Sequence, residues 1–270
     1  MVSRFDGQEY SLNLLKTGSH AVSMTRLWCL HGNLQLPTVW ESTLTQLWHD
    51  RDVQIIPVDL WSTTARDLWD WAELFCDRVS STSSTFTPFT QNIILGYSLG
   101  GRLALHAVLH RPDLWQGAIL LSTHPGLPHL QDRQSCLQAD QYWGQRFLKE
   151  PWHPLLQEWD GLPVFNGIPC GVDRPEKCFS REQIARLFDI FSKGRQDDLL
   201  PHLKKLAAPP ILYLSGALDK RYSEMGRRLA QDCDGVDWVA IAHAGHRVPW
   251  ENSEGCTQAV QAFLRQVVLP

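Results

Sequence analysis

The chain has 270 residues, of which 43% are hydrophobic and 20% are charged, and its formal net charge is −4. This balance is typical of a globular protein with a sizeable apolar core and excludes an intrinsically disordered chain. The basic residues are scattered along the sequence, so we expect neither a nucleic-acid-binding protein nor one that binds an anionic membrane surface.

The cysteines and the hydropathy pattern indicate whether to expect disulfides, a metal site or a membrane segment. Seven cysteines form no CxxC pair and no Cys/His spacing of a structural zinc site, so we expect reduced thiols and no metal. Residues 1–7 are polar and lack the apolar core of a signal peptide, and no segment reaches the roughly 18 apolar residues that span a membrane. We therefore expect a cytoplasmic protein without stable membrane insertion that acts on a small molecule.

Short apolar or β-branched segments alternate with helical ones, which is typical of a mainly parallel sheet. Strands are predicted at residues 27–30, 53–58, 92–95, 118–122, 211–215 and 237–241. Helices are predicted near residues 38–47, 68–79 and 99–111, and an apolar stripe predicts a C-terminal helix that carries Val260, Phe263, Leu264, Val267 and Val268. The alternation stops between residues 127 and 206, where prolines interrupt short helical segments rich in Gln, Trp and charged residues.

A G-x-S-x-G sequence at residues 96–100 follows the third predicted strand and opens a helix. This is the context of a nucleophile elbow, a sharp turn that presents a serine at the carboxyl edge of the sheet. The residues two before and two after the serine must lack bulk, which explains Gly96 and Gly100. Ser98 is therefore the candidate nucleophile, with a helix N-terminus beneath any negative charge that develops.

The partners of such a serine follow it in the order acid, then histidine. Asp219 follows the fifth predicted strand and His246 follows the sixth, so both lie on loops at the same edge of the sheet. We expect His246 to accept the Ser98 proton and Asp219 to orient the imidazole ring. His243 is the alternative histidine, and Asp219 is also suited to a turn or a helix N-cap.

The loop after the first predicted strand supplies the expected oxyanion hole. The backbone N–H groups of Asn33 and Leu99 are its candidate donors, because two amides directed at one oxygen stabilise charge that develops during the reaction. His31, in the same loop, is expected to be structural. Asp59 precedes the serine in sequence and is interpreted as a loop residue rather than the triad acid.

Strand order and elbow together predict an α/β-hydrolase fold, which is a mostly parallel central sheet flanked by helices. Residues 1–126 and 207–270 are expected to form its core. Residues 127–206 are expected to form a helical cap inserted into that core.

Longer sequences around these motifs resemble the MenH family, the 2-succinyl-6-hydroxy-2,4-cyclohexadiene-1-carboxylate (SHCHC) synthases. The similar segments are GYSLGGR at 96–102, AILLSTHPGL at 118–127, QRFL at 145–148, EW at 158–159, LPVF at 162–165 and AGH at 244–246. The resemblance implies that the serine and histidine remove a proton from a cyclohexene substrate, with elimination of pyruvate on the route to menaquinone or phylloquinone. It also implies that Tyr97 and Arg102 contact the acidic substrate and that Trp159 closes the pocket.

The chain departs from the family pattern in its cap. A family arginine falls at Cys136, for which Arg133, one helical turn away, is the expected substitute, and a second cap arginine has no clear counterpart. A Trp-rich cap with fewer arginines suits a hydrophobic ester, so a serine carboxylesterase stays open as an alternative function. A non-catalytic binding module on the same fold is the second alternative, and no cofactor is expected in any of these cases.

Overall fold

The computed structural model describes residues 24–44, 47, 52–83, 91–205 and 209–268. The polar segment 1–7 lies outside these residues, and so does the boundary predicted at residues 206 and 207. Within them, no helix is both long enough and apolar enough to cross a membrane.

Six strands form one all-parallel sheet in the order β2-β1-β3-β4-β5-β6. The strands are β1 (Thr25–Leu30), β2 (Val53–Val58), β3 (Gln91–Tyr97), β4 (Gly117–Leu121), β5 (Ile211–Gly216) and β6 (Val236–Ile241). Every predicted strand is present, and the predicted fold class is confirmed. Because all six strands run in one direction, the loops that follow them meet at one edge of the sheet.

The helices are α1 (Val39–Thr43), α2 (Leu68–Ser83), α3 (Leu99–His110), α4 (Leu130–Lys149), α5 (Trp152–Asp160), α6 (Arg181–Ile190), α7 (Leu200–Leu203), α8 (Lys220–Asp232), α9 (Val248–Glu251) and α10 (Ser253–Val267). The first helix is shorter than predicted, although residues 45 and 46 lie outside the described part of the chain. The second continues past residue 79, and α8 was not predicted.

The apolar core lies on both faces of the sheet, because alternate side chains of a strand point in opposite directions. On β3, Ile94 belongs to the cluster that includes buried residues of α2 and α3. Its neighbours Ile93 and Leu95 belong to the cluster that includes Phe263 of α10. The sheet is thus covered by helices on both sides, as continuous apolar strands require.

Helices α4 to α7 all lie in the long connection from β4 to β5, which we call the β4–β5 segment (residues 122–210). Aromatic rings pack inside it, with Phe188 of α6 5.8 Å from the Phe147 ring and 5.3 Å from the Trp159 ring. The segment is also bonded to the loop after β2, since the Arg186 guanidinium donates to the Thr63 and Ala65 carbonyls. This arrangement places α4 and α6 over the carboxyl edge of the sheet.

Candidate active site

Ser98 lies at the turn between β3 and α3, with backbone angles of φ 51° and ψ −105°. A positive φ is strained for a residue other than glycine, and such strain is typical of a nucleophile elbow. The turn leaves no room for bulk nearby, because a Cβ on Gly96 would lie 2.4 Å from the Gly100 carbonyl oxygen and a Cβ on Gly100 would lie 2.3 Å from the Leu30 oxygen. These contacts explain the two glycines of the motif.

His246 lies between Ser98 and Asp219. Its Nε2 is 3.4 Å from the Ser98 Oγ, and its Nδ1 is 3.0 Å from Asp219 Oδ2. The imidazole is only 4% exposed, so the three groups interact away from bulk water. Nδ1–H donates to the carboxylate in this arrangement, which leaves Nε2 free to accept the serine proton.

Asp219 combines the two roles that the sequence left open. Its Oδ2 contacts His246, while its Oδ1 accepts a hydrogen bond of 3.1 Å from the Tyr222 amide and caps the N-terminus of α8. The cap fixes the carboxylate in the orientation that the histidine needs. In this geometry Asp219 both caps α8 and contacts His246, so the first contact does not exclude the second.

The other candidate groups lie apart from this chain of hydrogen bonds. His243 is exposed. Asp59 accepts a hydrogen bond from the Trp61 amide. His31 is fully buried, where desolvation lowers its pKa to about 4, and its Nε2 accepts from the Leu60 amide while Nδ1 donates to the Gly32 carbonyl. A neutral His31 thus joins the loops after β1 and β2.

The two predicted oxyanion donors belong to different elements of the fold. Leu99 is the first residue of α3, and Asn33 lines the same cavity as Ser98. Among the hydrogen bonds of the described residues, neither backbone amide has an acceptor. Both N–H groups thus lack a protein acceptor among the described residues, and their function in an oxyanion hole stays a prediction.

A cavity of about 270 Å³ lies between the serine and the β4–β5 segment. Tyr97, Arg102 and Trp159 line it, as the sequence predicted, and further wall residues are Trp143, Leu162, Val164 and Phe165. Arg133 does not line it. Cys136 lies in the wall instead, and Arg133, one turn earlier on α4, has its backbone against Gly194. The expected substitution of Arg133 for the family arginine is therefore wrong.

Arg102 is a buried cation without a carboxylate partner. It is 8% exposed, and its Nη1 donates a hydrogen bond of 3.3 Å to the neutral amide oxygen of Gln196. In the described part of the chain it forms no ion pair. Burial lowers the pKa of this guanidinium, which shows the cost of keeping the charge there. The exposed, locally paired arginine that the sequence left open is not observed.

Four further cations line the cavity, and none of them was predicted from the sequence. Arg174 and Arg247 both bind the carboxylate of Asp160. Lys193 and Arg221 complete the set. Only Arg247 had a local signal, because it directly follows the histidine of the AGH sequence.

One acidic side chain, Asp140, lines the cavity together with these cations. Burial raises its pKa, and Ser192 Oγ donates a hydrogen bond of 2.6 Å to it. Cations therefore outnumber acidic side chains in the cavity wall. No group of three or more His, Cys, Asp or Glu residues that could hold a metal ion occurs in the described ranges.

Comparison with known proteins agrees with this fold. The sequence pattern of the alpha/beta hydrolase family matches residues 29–259. The SHCHC synthase of Pectobacterium atrosepticum is 30% identical over 92% of this chain and 98% of its own length. A putative SHCHC synthase of Haemophilus influenzae is 28% identical over 89% of this chain and 98% of its own length.

The structure of MenH from S. aureus has a TM-score of 0.78 at 18% identity, and the match covers 93% of this chain and 97% of that one. This likeness supports the fold. The match to the family pattern and the 30% identical relative show which family the chain belongs to. The chain belongs to the alpha/beta hydrolase family, and within it resembles the SHCHC synthases.

Proposed function

We propose that this protein is an SHCHC synthase-like enzyme, which eliminates pyruvate from a cyclohexene substrate that carries several carboxylates. The observation that carries the proposal is Arg102, a buried cation without a carboxylate partner, in the wall of the cavity that contains Ser98. An unpaired buried charge is costly, and a substrate carboxylate offsets that cost. The relatives named SHCHC synthases support the same assignment.

In the proposed mechanism His246 Nε2 takes the Ser98 proton, and the serine oxygen removes a proton from a substrate carbon. The electron pair left on that carbon forms a ring double bond, the existing ring double bond shifts, and the bond from the ring to the leaving oxygen breaks. The leaving group departs as the enolate of pyruvate, and the His246 imidazolium gives it a proton, so that pyruvate forms and the triad returns to its starting state. Asp219 holds the Nδ1–H tautomer and stabilises the imidazolium that forms. The amides of Asn33 and Leu99 stabilise negative charge on a substrate oxygen.

We further propose that the β4–β5 segment acts as the predicted cap. Trp159 lies on its α5 helix, lines the cavity and packs 6.2 Å from the Phe165 ring. Aromatic side chains in this position exclude water from the reacting atoms. Exclusion of water favours proton abstraction from carbon over hydrolysis, because hydrolysis needs a water molecule beside the serine.

A serine carboxylesterase is the second candidate, and the aromatic and aliphatic side of the cavity favours it. Trp143, Leu162, Val164 and Phe165 form an apolar surface that could hold the acyl or alcohol part of an ester. Ser98 would then form an acyl-enzyme that water cleaves. The two functions differ in how they use the cations, since a neutral ester leaves Arg102 without a partner.

The test offers the purified protein the cyclohexene substrate of the SHCHC synthases and, separately, a panel of chromogenic esters. Pyruvate release with negligible ester turnover, abolished in Ser98→Ala, is the expected result. Ester turnover that depends on Ser98, without pyruvate release, contradicts the proposal and supports the esterase. Activity with neither class, together with tight binding of either compound, supports the non-catalytic module.

A further inference from the structure

Three cavity cations without ion pairs come together from three separate parts of the chain. Arg102 lies on α3, Lys193 lies in the turn after α6, and Arg221 lies in the first turn of α8. Lys193 is half-buried and Arg221 is exposed. Like Arg102, neither forms an ion pair with any carboxylate among the described residues.

The three cations line one cavity, and His124 lines it with them. The pKa of His124 is lowered to about 3, first by burial and then by the positive charges of Lys193, Arg221 and Arg102. Lys193 itself has a lowered pKa, mainly because burial disfavours its ammonium form, and the nearby Arg221 and Arg102 add to this effect. The positive charges of both arginines therefore disfavour the Lys193 ammonium, and the nearby Cys136 and Asp140 offset part of this effect.

Asp140, the acidic side chain of the cavity wall, offsets only part of the charge of these three cations. The Asp140 carboxyl accepts from Ser192 Oγ at 2.6 Å and lies 3.7 Å from Cys136 Sγ, but it forms no ion pair with Lys193. Arg174 and Arg247 differ, because both bind Asp160 and their charges are partly compensated. The cavity thus has one cluster of paired arginines and one cluster of unpaired cations.

We propose that Lys193 and Arg221 are specificity-determining residues, which together with Arg102 form a carboxylate subsite that selects substrates with at least two carboxylates. This inference rests on the proposed function, in which Arg102 holds one carboxylate. Three like charges held in one place favour an anion with more than one negative group, since each carboxylate relieves part of the repulsion. Arg174 and Arg247 take no part in this subsite, because Asp160 already occupies them.

The probe for the subsite is SHCHC, whose succinyl and ring groups each carry a carboxylate. Its Kd is measured by quenching of tryptophan fluorescence, which Trp143 and Trp159 in the cavity wall make possible. Lys193→Met should raise the Kd about tenfold, as expected for the loss of one hydrogen bond to a charged group. Arg221→Met should raise it about two- to fivefold, because this cation is exposed to solvent.

Lys220→Met is the matched control, because it removes the same charge one residue before Arg221 from a side chain that does not line the cavity. Its Kd should stay within about twofold of wild type, since charges in solvent are screened. Lys193→Arg keeps the charge and should keep most of the affinity. If that variant binds well while Lys193→Met does not, the loss comes from the charge and not from misfolding.

Two results would overturn the inference, and they are distinguishable. If wild type binds SHCHC but Lys193→Met and Arg221→Met bind as well as Lys220→Met, the subsite is wrong while the proposed function stands. If wild type does not bind SHCHC, the proposed function fails, and the subsite fails with it.

Discussion

Replacing Arg102 with methionine should change stability and activity in opposite directions. The guanidinium is 8% exposed, has no carboxylate partner in the described residues, and has a pKa lowered by burial. Methionine has a similar length and no charge, so it removes the desolvation cost while it keeps most of the packing. The main loss is the 3.3 Å hydrogen bond to Gln196, whose Nε2 still donates to the His124 carbonyl.

The expected magnitudes follow from these contacts. The free energy of unfolding of Arg102→Met should be unchanged or up to about 2 kcal/mol higher, as for other replacements of buried charges by apolar groups. Its kcat/KM for pyruvate release should fall about ten- to a hundredfold, which corresponds to the loss of about 1.5 to 3 kcal/mol of charge-assisted hydrogen bonding. The kcat/KM of Arg102→Lys should lie between those of wild type and Arg102→Met, because an ammonium cannot form a two-pronged contact.

Urea denaturation and a coupled pyruvate assay on the same preparations measure both quantities. A structural arginine would give the reverse pattern. Loss of a neutral contact costs less than about 2 kcal/mol. If Arg102→Met loses more stability than this and keeps the wild-type kcat/KM, Arg102 serves the fold and does not bind the substrate.

Asp219→Asn should keep the α8 N-cap but not the stabilised imidazolium, so kcat should fall about 10³- to 10⁴-fold while the free energy of unfolding stays within about 1 kcal/mol of wild type. A mild effect on kcat would remove this residue from the mechanism. His246→Gln should lower kcat at least about 10³-fold, whereas His243→Gln should leave it unchanged, and the opposite ranking in parallel assays would contradict the geometry. Burial lowers the pKa of His31 and His106 from 6.5 to about 4 in the folded state. The unfolded chain therefore binds more protons between these values, and stability is lost as the pH falls from 6.5 towards 4, by about 2 to 3 kcal/mol for each histidine. Urea unfolding at pH 8 and at pH 4.5 measures this loss, which should be smaller in His106→Gln; equal losses in the two proteins would show that His106 does not contribute.

The features that the sequence predicted depend on local chemistry or on the order of the strands. A strand buried on both faces must be apolar along its length, and the elbow at Ser98 must have glycines on either side, so both features are visible in short segments. The positions of Asp219 and His246 follow from strand order alone, because parallel strands bring their following loops to one edge. The structure brings these side chains within hydrogen-bond distance of one another.

The cavity cations could not be predicted in the same way. Lys193 lies in a turn with no motif, and its position depends on how the β4–β5 segment folds over α3. Arg133 was expected in the wall because it lies one helical turn before Cys136, but a turn of helix advances about 5.4 Å, enough to carry a side chain past the cavity. Helix α8 had a readable signal that was missed, since Tyr222, Gly226 and Leu229 form a buried stripe at helical spacing.

The most direct test of the proposed activity follows the cyclohexene substrate and both products in one reaction. Pyruvate and SHCHC should form in equal amounts, and Ser98→Ala and His246→Gln should abolish both while the variants remain folded. Pyruvate formation no faster than in buffer, in a preparation that hydrolyses esters through Ser98, would contradict the proposed activity.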